Sequence, residues 1–324
     1  MKAVIPVAGE GTRLRPHTHT VPKPLLRVAG KAILGHILDD VVELGIRDVV
    51  LIVGYRGEHI VDYVKANYDL NVSFVEQRER LGLGHAIYLS REFVGDEPML
   101  VLLGDTIFKG DFARIVSAGG NHLGVRKVPD PERFGVVEIE DGKIINLVEK
   151  PAEPRSNLAI VGIYCVENSR ALFDALETIV SEDLRTRGEY QLTDALNLMI
   201  SRGIDLEAFE IDGWYDCGKA ETLLETNRDL LEMAGSSVKV PGSIIIDPVN
   251  VAEDVTIESS VIGPFVSIAG KTVVRNSIIK NSILGSNAIV EDALLGSSLI
   301  GDNAVVRGFF KKLNVGDSSE IDFT

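Results

Sequence analysis

The first residues suited to chemistry follow a short apolar N-terminal segment, where Gly9 and Gly11 flank Glu10 and precede Thr12 and Arg13. Glycines let the backbone approach a phosphate closely, and successive amide groups can point at its oxygens. An arginine guanidinium binds phosphate oxygens through a planar fork. The segment therefore predicts a phosphate-binding loop at the end of a strand.

A second cation, Lys23, stands between two prolines that restrict the backbone around it, and a lysine offers phosphate a mobile point charge. Two other kinds of phosphate loop are excluded. A dinucleotide fingerprint needs a third glycine where this chain has Leu14. A Walker loop fails because the Gly-Lys-Thr string beginning at Gly270 has Phe265 in place of the first glycine.

Two aspartates end apolar or extended segments: Asp105 follows a buried run that begins at Met99, and Asp216 follows Trp214 and Tyr215. Magnesium takes one or two carboxylates together with phosphate oxygens and water. If both segments end at one sheet edge, the two carboxylates can meet there. Asp111 has a plainer interpretation, as the cap of a helix over residues 112–118.

Gln77 precedes a glycine-rich string that contains Gly82 and His85. A glutamine amide offers one donor and one acceptor on the same edge, so it can complement the imide N–H and carbonyl of uracil or thymine. Gly82 lets a base lie against the backbone. We interpret His85 as a structural residue at a helix start rather than as a catalytic base.

Taken together, these strings carry a specific resemblance. Gly-x-Gly-Thr-Arg-Leu-x-Pro-x-Thr from Gly9, then Pro-Lys-x-Leu-Leu from Pro22, is similar to the sugar-1-phosphate nucleotidylyltransferases, also called NDP-sugar pyrophosphorylases. The chain most resembles long-form glucose-1-phosphate thymidylyltransferases, which carry a C-terminal left-handed β-helix. Phe134-Gly135-Val136-Val137-Glu138 and Val148-Glu149-Lys150-Pro151 extend the resemblance over nearly the whole chain.

The resemblance implies a role for each matching residue. The implied nucleotide-binding residues are Ala8, Gly9, Gly11, Thr12, Arg13, Gln77 and Gly82. The implied sugar-phosphate-binding residues are Gly135, Glu149, Lys150, Gly162 and Arg187. The implied catalytic residues are Arg13, Lys23, Asp105, Lys150 and Asp216. Asp105 and Asp216 are the implied ligands of a Mg²⁺ cofactor.

The activity implied is nucleotidyl transfer from dTTP or UTP to a sugar-1-phosphate, with glucose-1-phosphate as the first choice and pyrophosphate as the other product. A UTP-dependent enzyme acting on glucose-1-phosphate or N-acetylglucosamine-1-phosphate stays open. Mannose-1-phosphate guanylyltransferase is less favoured, because Gln77 matches the pyrimidine-reading form of the family, although Pro24 is common among guanylyltransferases. A non-catalytic regulatory subunit is a remote alternative.

The elements that must position these residues alternate between strands and helices. Short apolar runs predict strands at 3–7, 49–53, 72–75 and 99–103, and helical spacing predicts helices at 33–44, 58–66 and 84–92. Such alternation predicts a Rossmann-like α/β fold, with a mostly parallel sheet covered by helices on both faces. Strands at 123–128, 136–139, 144–148 and 160–166 should join or flank it. Ligands of such sheets bind beyond the carboxyl ends of the strands.

The C-terminal part follows a different pattern. Aliphatic residues recur every five or six positions from Val251 to Val306, with glycine, asparagine, serine and aspartate between them. This period predicts a hexapeptide-type left-handed parallel β-helix rather than an ordinary β-sandwich. We therefore expect a nucleotidyltransferase domain at 1–235, a linker at 234–237 and a β-helix domain at 236–324, in which the tail after Gly308 covers the open end.

Composition limits the remaining choices. A length of 324 residues suggests about two domains. With 33 basic and 48 acidic residues, the net charge of −15 disfavours nucleic acid and anionic membranes as partners. Two cysteines and the lack of a long apolar run favour a cytoplasmic protein, and we expect a homo-oligomer. All six histidines precede residue 123, so the β-helix lacks the histidine base of the β-helical acyltransferases.

Overall fold

The computed structural model describes residues 1–54, 56–235 and 238–308. The chain divides into two compact units. Residues 1–26 and 31–223 form the first, and residues 27–30 with the chain from Leu224 onward form the second. The expected domain boundary between residues 235 and 236 stays a prediction. Part of the expected linker and the tail after Gly308 lie outside the described residues.

In the part of the chain that the structure describes, thirteen strands precede residue 220. They are β1 (Lys2–Pro6), β2 (Arg27–Val28), β3 (Lys31–Ala32), β4 (Asp48–Val53), β5 (Asn71–Glu76), β6 (Met99–Leu102), β7 (Thr106–Lys109), β8 (Asn121–Lys127), β9 (Gly135–Glu140), β10 (Lys143–Glu149), β11 (Leu158–Val166), β12 (Glu207–Glu210) and β13 (Gly213–Asp216). Those predicted from apolar runs lie within two residues of the expected bounds.

Eight α-helices accompany these strands in the described part of the chain. They are α1 (Ile33–Glu43), α2 (Gly57–Asn67), α3 (Leu83–Tyr88), α4 (Arg91–Val94), α5 (Phe112–Ala118), α6 (Ser169–Ser181), α7 (Leu192–Ser201) and α8 (Ala220–Ala234). Asp111 caps α5 as predicted, because its side chain accepts a hydrogen bond from Arg114 N. Among the described helices, none has the length and apolar character that a bilayer crossing requires.

A nine-stranded sheet organises the first unit, in the order β5-β4-β1-β6-β11-β8-β12-β10-β9. The half β5-β4-β1-β6 is parallel throughout, and strands β8 to β12 extend it with mixed directions. Strand β11 reads as a continuous apolar run because both of its faces are covered. The α/β fold class is therefore confirmed, and the strands predicted between residues 123 and 166 join the same sheet, whereas β13 pairs with β7 in a separate two-stranded sheet.

The predicted helix at 84–92 is broken into α3 and α4. Ser90 lies between them and is fully buried, and its hydroxyl donates a 2.6 Å hydrogen bond to the Ile87 carbonyl. A serine that bonds to nearby backbone in this way competes with the helical hydrogen-bond ladder. The apolar spacing of the segment did not reveal this local bond, so the sequence predicted one continuous helix.

The described residues of the second unit contain twelve further strands. They are β14 (Ile244–Ile245), β15 (Val249–Val251), β16 (Thr256–Glu258), β17 (Val261–Ile262), β18 (Val266–Ile268), β19 (Val273–Arg275), β20 (Ile278–Lys280), β21 (Ser282–Leu284), β22 (Ile289–Glu291), β23 (Leu294–Gly296), β24 (Leu299–Ile300) and β25 (Val305–Arg307). Every third strand joins the same parallel sheet, which produces three four-stranded sheets. The predicted left-handed β-helix is confirmed.

One side chain per step points into this β-helix, as the five- and six-residue period requires. Ile262, Ile279 and Leu284 are among the inward aliphatic residues, and each is almost fully buried. One outer face carries a ladder of alternating charge, in which Arg275 lies between Glu258 and Glu291. The aliphatic residues thus supply the core, and the polar residues between them form the turns and the surface.

Asn227 of α8 is a buried polar residue of the second unit that forms three hydrogen bonds. Its Oδ1 accepts hydrogen bonds from Ala29 N at 2.9 Å and Ser267 Oγ at 2.6 Å, and its Nδ2 donates to the Phe265 carbonyl at 3.3 Å. The side chain is fully buried, so these bonds satisfy it away from water. They connect the 27–30 segment, α8 and the β-helix within one unit.

Two adjacent isoleucines of β20, Ile278 and Ile279, test which side chains point into the core of the β-helix. We expect Ile279→Ala to lower the free energy of unfolding of the second unit by about 2–5 kcal/mol, because Ile279 is fully buried and its loss leaves a cavity. The control Ile278→Ala, at a side chain 46% exposed, should cost less than about 1 kcal/mol. Urea denaturation measures both values, and equal losses would contradict the inward placement.

Candidate functional site

The glycine-rich loop leaves β1 and meets the segment of the second predicted cation. Gly11 has a φ of 65°, and a Cβ at this position would lie 2.9 Å from Lys23 Cβ and from Thr18 Cγ2. Thr18 Oγ1 donates a 2.8 Å hydrogen bond to the Gly11 carbonyl. Only glycine combines this backbone conformation with so close an approach. The loop is therefore held against the segment that carries Lys23.

Lys23 forms an ion pair with Asp105, 2.6 Å from Nζ to Oδ2. The lysine side chain is 7% exposed and the aspartate side chain 40%, so the charged pair forms a wall of an open pocket. Burial by itself would raise the pKa of Asp105, but the charge and hydrogen bond of Lys23, with contributions from Thr106 and Arg13, hold it below the ordinary value. Asp105 is therefore ionised at neutral pH.

Asp216 reaches the same place through strand pairing. Antiparallel pairing of β13 with β7 puts Asp216 opposite Thr106, and Cys217 N donates to the Asp105 carbonyl at 3.1 Å. A Cβ at Gly218 would lie 2.8 Å from an Asp216 carboxylate oxygen and 3.2 Å from Arg13 Nη2. Arg13 and the two aspartates are thus neighbours at one edge of the sheet, as the sequence predicted.

The segment from Gln77 to Gly84, predicted to contact the base, lines the same pocket. Gln77 follows β5 and is held by a hydrogen bond from its backbone N to the Val53 carbonyl. Gly82 has a φ of 107°, and a Cβ there would lie 2.6 Å from the Tyr190 carbonyl. The segment from Leu81 to Gly84 is docked on Tyr190 through two backbone hydrogen bonds. The residues around Gly82 are therefore held close to the backbone at Tyr190.

These residues line one cavity of about 340 Å³, within the range of small-molecule sites. The predicted residues among its lining are Ala8, Gly9, Lys23, Gln77, Gly82 and Asp105. Leu103, Gly104 and Pro24 also line it, so the cavity lies at the carboxyl ends of β1 and β6. Gly11, Thr12 and Arg13 lie in the adjoining glycine loop, where Thr12 and Arg13 are exposed.

The predicted sugar-phosphate residues form a second group. Glu149 pairs with Gly135 across β9 and β10, and a Cβ at Gly135 would lie 3.0 Å from Glu149 Oε2. Lys150 Nζ lies 3.4 Å from Glu149 Oε1, and Arg187 Nη2 donates a 2.6 Å hydrogen bond to the Lys150 carbonyl. Glycine at 135 therefore permits the close approach of the Glu149 carboxylate, which a larger residue there would crowd.

Two further contacts join this group to the cavity. Gly162 is in an irregular part of β11, and its carbonyl accepts a 3.0 Å hydrogen bond from N of Leu103, which lines the cavity. The segment that carries Arg187 continues to Glu189, which also lines the cavity beside Gly82. Residues from four separate parts of the sequence therefore surround one region of the first unit.

Sequence reasoning missed three charged residues at this site. Arg80 and Glu189 line the cavity, and Arg80 Nη2 donates a 2.5 Å hydrogen bond to Glu10 Oε1 in the glycine loop. This bond is the largest contribution that lowers the pKa of Glu10. Arg80 stands between Gln77 and Gly82, so its position between two predicted nucleotide-binding residues was the available signal.

The candidate metal ligands fit magnesium in chemistry and number. Among the residues described, no three His, Cys, Asp or Glu side chains gather into a complete protein metal site. A magnesium ion that binds a nucleotide does not need one, since it takes one or two carboxylates and completes its shell with phosphate and water. Asp105 and Asp216 supply two such carboxylates at the edge where Arg13 and Lys23 lie.

Comparisons with known proteins agree with this geometry. A family model described as "Nucleotidyl transferase" matches residues 2–233. This chain belongs to the nucleotidyl transferase family. It is 35% identical over 313 residues to a glucose-1-phosphate thymidylyltransferase of Streptomyces griseus, covering 88% of this chain and 87% of that protein. The predicted enzyme class, a nucleotidyltransferase, is thereby confirmed.

Two further relatives extend this result. The nucleotidyltransferase is 39% identical over 259 residues to the bifunctional protein GlmU of Methanococcus maripaludis, covering 76% of this chain but only 60% of that protein. A solved UDP-glucose pyrophosphorylase in complex with UDP-glucose matches with a TM-score of 0.63 and 27% identity, covering 72% of this chain and 98% of that one. Sugar nucleotidyltransferases thus share the fold of this chain.

The pH dependence of stability tests the Lys23–Asp105 pair. Because the folded-state pKa of Asp105 is lowered, the ionised carboxylate contributes stability above its unfolded pKa, and this contribution is lost as pH falls through the folded pKa. We expect Asp105→Asn to lower the free energy of unfolding by about 1–2 kcal/mol at neutral pH. The difference from wild type should shrink below about pH 4. Urea denaturation at several pH values measures it, and a difference that grows in acid would contradict the pairing.

Proposed function

We propose that this nucleotidyltransferase transfers the nucleotidyl group of dTTP or UTP to a sugar-1-phosphate, with glucose-1-phosphate as the first choice. The observation that carries the proposal is that one cavity is lined by the glycine loop, the Lys23–Asp105 ion pair and Gln77. These groups suit the phosphates and the base of one nucleotide. The second group of residues, around Lys150, is joined to the cavity through the 187–189 segment and suits the sugar-1-phosphate.

The named relatives support the same substrate classes. One is a glucose-1-phosphate thymidylyltransferase and another, of solved structure, is a UDP-glucose pyrophosphorylase. Both names pair a pyrimidine nucleotide with glucose. The GlmU relatives give weight to a second candidate, a uridylyltransferase acting on N-acetylglucosamine-1-phosphate. Guanylyl transfer to mannose-1-phosphate finds less support, since Gln77 suits a pyrimidine imide.

In the proposed reaction, a phosphate oxygen of the sugar-1-phosphate attacks the α-phosphorus of the nucleotide in line. A bond forms between this oxygen and the α-phosphorus, the bond from the α-phosphorus to the bridging α–β oxygen breaks, and its electron pair leaves with pyrophosphate. A phosphate monoester is already an anionic nucleophile, so the step needs no side-chain base. Catalysis of this kind consists of positioning and charge stabilisation.

The cations of the chain divide this work. Arg13 and Lys23, beside the glycine loop, stabilise the charge that develops on pyrophosphate. Lys150 screens the two anions that must approach each other, and Arg187 supports it through the Lys150 carbonyl. Glu149, whose carboxylate lies against Gly135 of β9, accepts hydrogen bonds from sugar hydroxyls.

Asp105 and Asp216 hold a magnesium ion in this proposal, and the ion neutralises phosphate charge when bound. Lys23 keeps Asp105 ionised at neutral pH, which is the form that a metal ligand requires.

The expected cytoplasmic location and homo-oligomeric state belong to the same proposal, and we assign the β-helix a role in stability and assembly. Light scattering of the full chain measures the oligomeric state.

A substrate panel tests the proposed function. The full chain is incubated with each of ATP, CTP, GTP, UTP and dTTP against several sugar-1-phosphates in the presence of Mg²⁺, and pyrophosphate release is measured. We expect release with dTTP or UTP and glucose-1-phosphate or N-acetylglucosamine-1-phosphate. Preference for GTP with mannose-1-phosphate would contradict the role of Gln77, and no release with any pair would contradict the enzyme proposal.

Lys143 and Lys150, near the two ends of β10, provide a test of the proposed sugar-1-phosphate site. We expect Lys150→Met to lower kcat/KM for the sugar-1-phosphate by about 10²–10³-fold, the effect of losing an electrostatic catalytic group, while the KM for nucleotide changes little. The control is Lys143→Met, at the other end of β10, where the lysine pairs with Asp205. Steady-state kinetics measures both variants. Equal effects, or a change confined to nucleotide KM, would contradict the assignment.

A further inference from the structure

The orientation of the Gln77 amide follows from its neighbours. Gln77 is 8% exposed, and its Nε2 donates to the Gly82 carbonyl at 3.2 Å. A carbonyl oxygen only accepts hydrogen bonds, so the nitrogen end of the amide must face it. The same Nε2 lies 3.2 Å from Nδ1 of His85, a residue of α3. Both amide hydrogens therefore have partners.

The contact with Gln77 also determines the tautomer of His85. Because Gln77 Nε2 is a donor, His85 Nδ1 must accept, which leaves the ring proton on Nε2. Burial lowers the pKa of His85 and outweighs the opposite effect of Glu79, so the ring is neutral at neutral pH. The Tyr190 ring lies 6.3 Å away, and its hydroxyl is held by Asp183 and Arg185.

With both hydrogens engaged, it is the oxygen of the Gln77 amide that can bond a ligand in the cavity that Gln77 lines. An oxygen can accept the N3–H of uracil or thymine. Cytosine has a bare nitrogen at this position, so the same oxygen would face an acceptor and leave both groups without a hydrogen bond. If the amide were turned over, its NH₂ group would suit cytosine instead.

We propose that His85 is a positioning residue for base selection: together with the Gly82 carbonyl, its Nδ1 holds the Gln77 amide in the orientation that accepts N3–H, and so favours uracil or thymine over cytosine. The inference rests on the proposed function, because it concerns the base of the same nucleotide. It replaces the expectation that His85 serves only the start of a helix. His85 itself has no contact with substrate in this role and acts through Gln77.

Nucleotide selectivity tests this role. We compare kcat/KM for UTP, dTTP and CTP in wild type, His85→Phe and His85→Asn. Phenylalanine keeps a ring but has no acceptor, so we expect the preference for UTP over CTP to fall by about tenfold or more. Asparagine can place an amide oxygen near the position of Nδ1, so it should retain most of the preference. His59→Phe, at an exposed histidine of α2, is the matched control and should retain it fully.

The outcomes separate the inference from the proposed function. If wild type uses neither UTP nor dTTP, the proposed function fails. If wild type uses them and a folded His85→Phe loses activity equally with every nucleotide, His85 is only structural and the inference fails. The ring tautomer gives a second readout by ¹⁵N NMR of the wild-type protein. A proton on Nε2 agrees with the role, and a proton on Nδ1 overturns it.

Discussion

The ion pair between Lys23 and Asp105 is the interaction on which the site depends. It joins a segment near the N-terminus to the end of a central strand, 82 residues later, across 2.6 Å. Removing a lysine from water is costly unless a partner compensates for it, and Asp105 is that partner. The same contact keeps the carboxylate ionised. This ion pair therefore stabilises the pocket wall and also keeps the Asp105 carboxylate in its ionised form.

The pocket also resolves a conflict of charge. A chain with a net charge of −15 must bind two anionic substrates, so its cations have to be concentrated locally. Arg13, Lys23, Lys150 and Arg187 all belong to loops or strand ends on one region of the first unit. Parallel strands end together at one sheet edge, and ligand sites gather there for this reason.

The second unit is stabilised by a repeating structure rather than by a single sheet with covering helices. Its coils repeat at 16 or 17 residues, as the pairing of Val261 with Ile278 and of Ile278 with Leu294 records. Each coil buries a few aliphatic side chains and contacts only its neighbours, so stability accumulates along the stack. Asn227 adds a specific polar contact to this repetitive core, because its three bonds require one arrangement of α8 on the β-helix.

The amino-acid sequence alone determined whatever depends on neighbouring residues. The period of apolar residues revealed the strands and the β-helix. The contiguous string from Gly9 to Arg13 predicted a phosphate-binding loop, since that chemistry comes from adjacent positions. Tertiary structure decided the rest. The approach of Asp216 to Asp105 needed the β7–β13 pairing, which no local pattern encodes. The bond between Arg80 and Glu10, and the orientation of Gln77 by His85, depend on side-chain directions that packing sets. Residues far apart in the chain meet only when sheet register and packing bring them together.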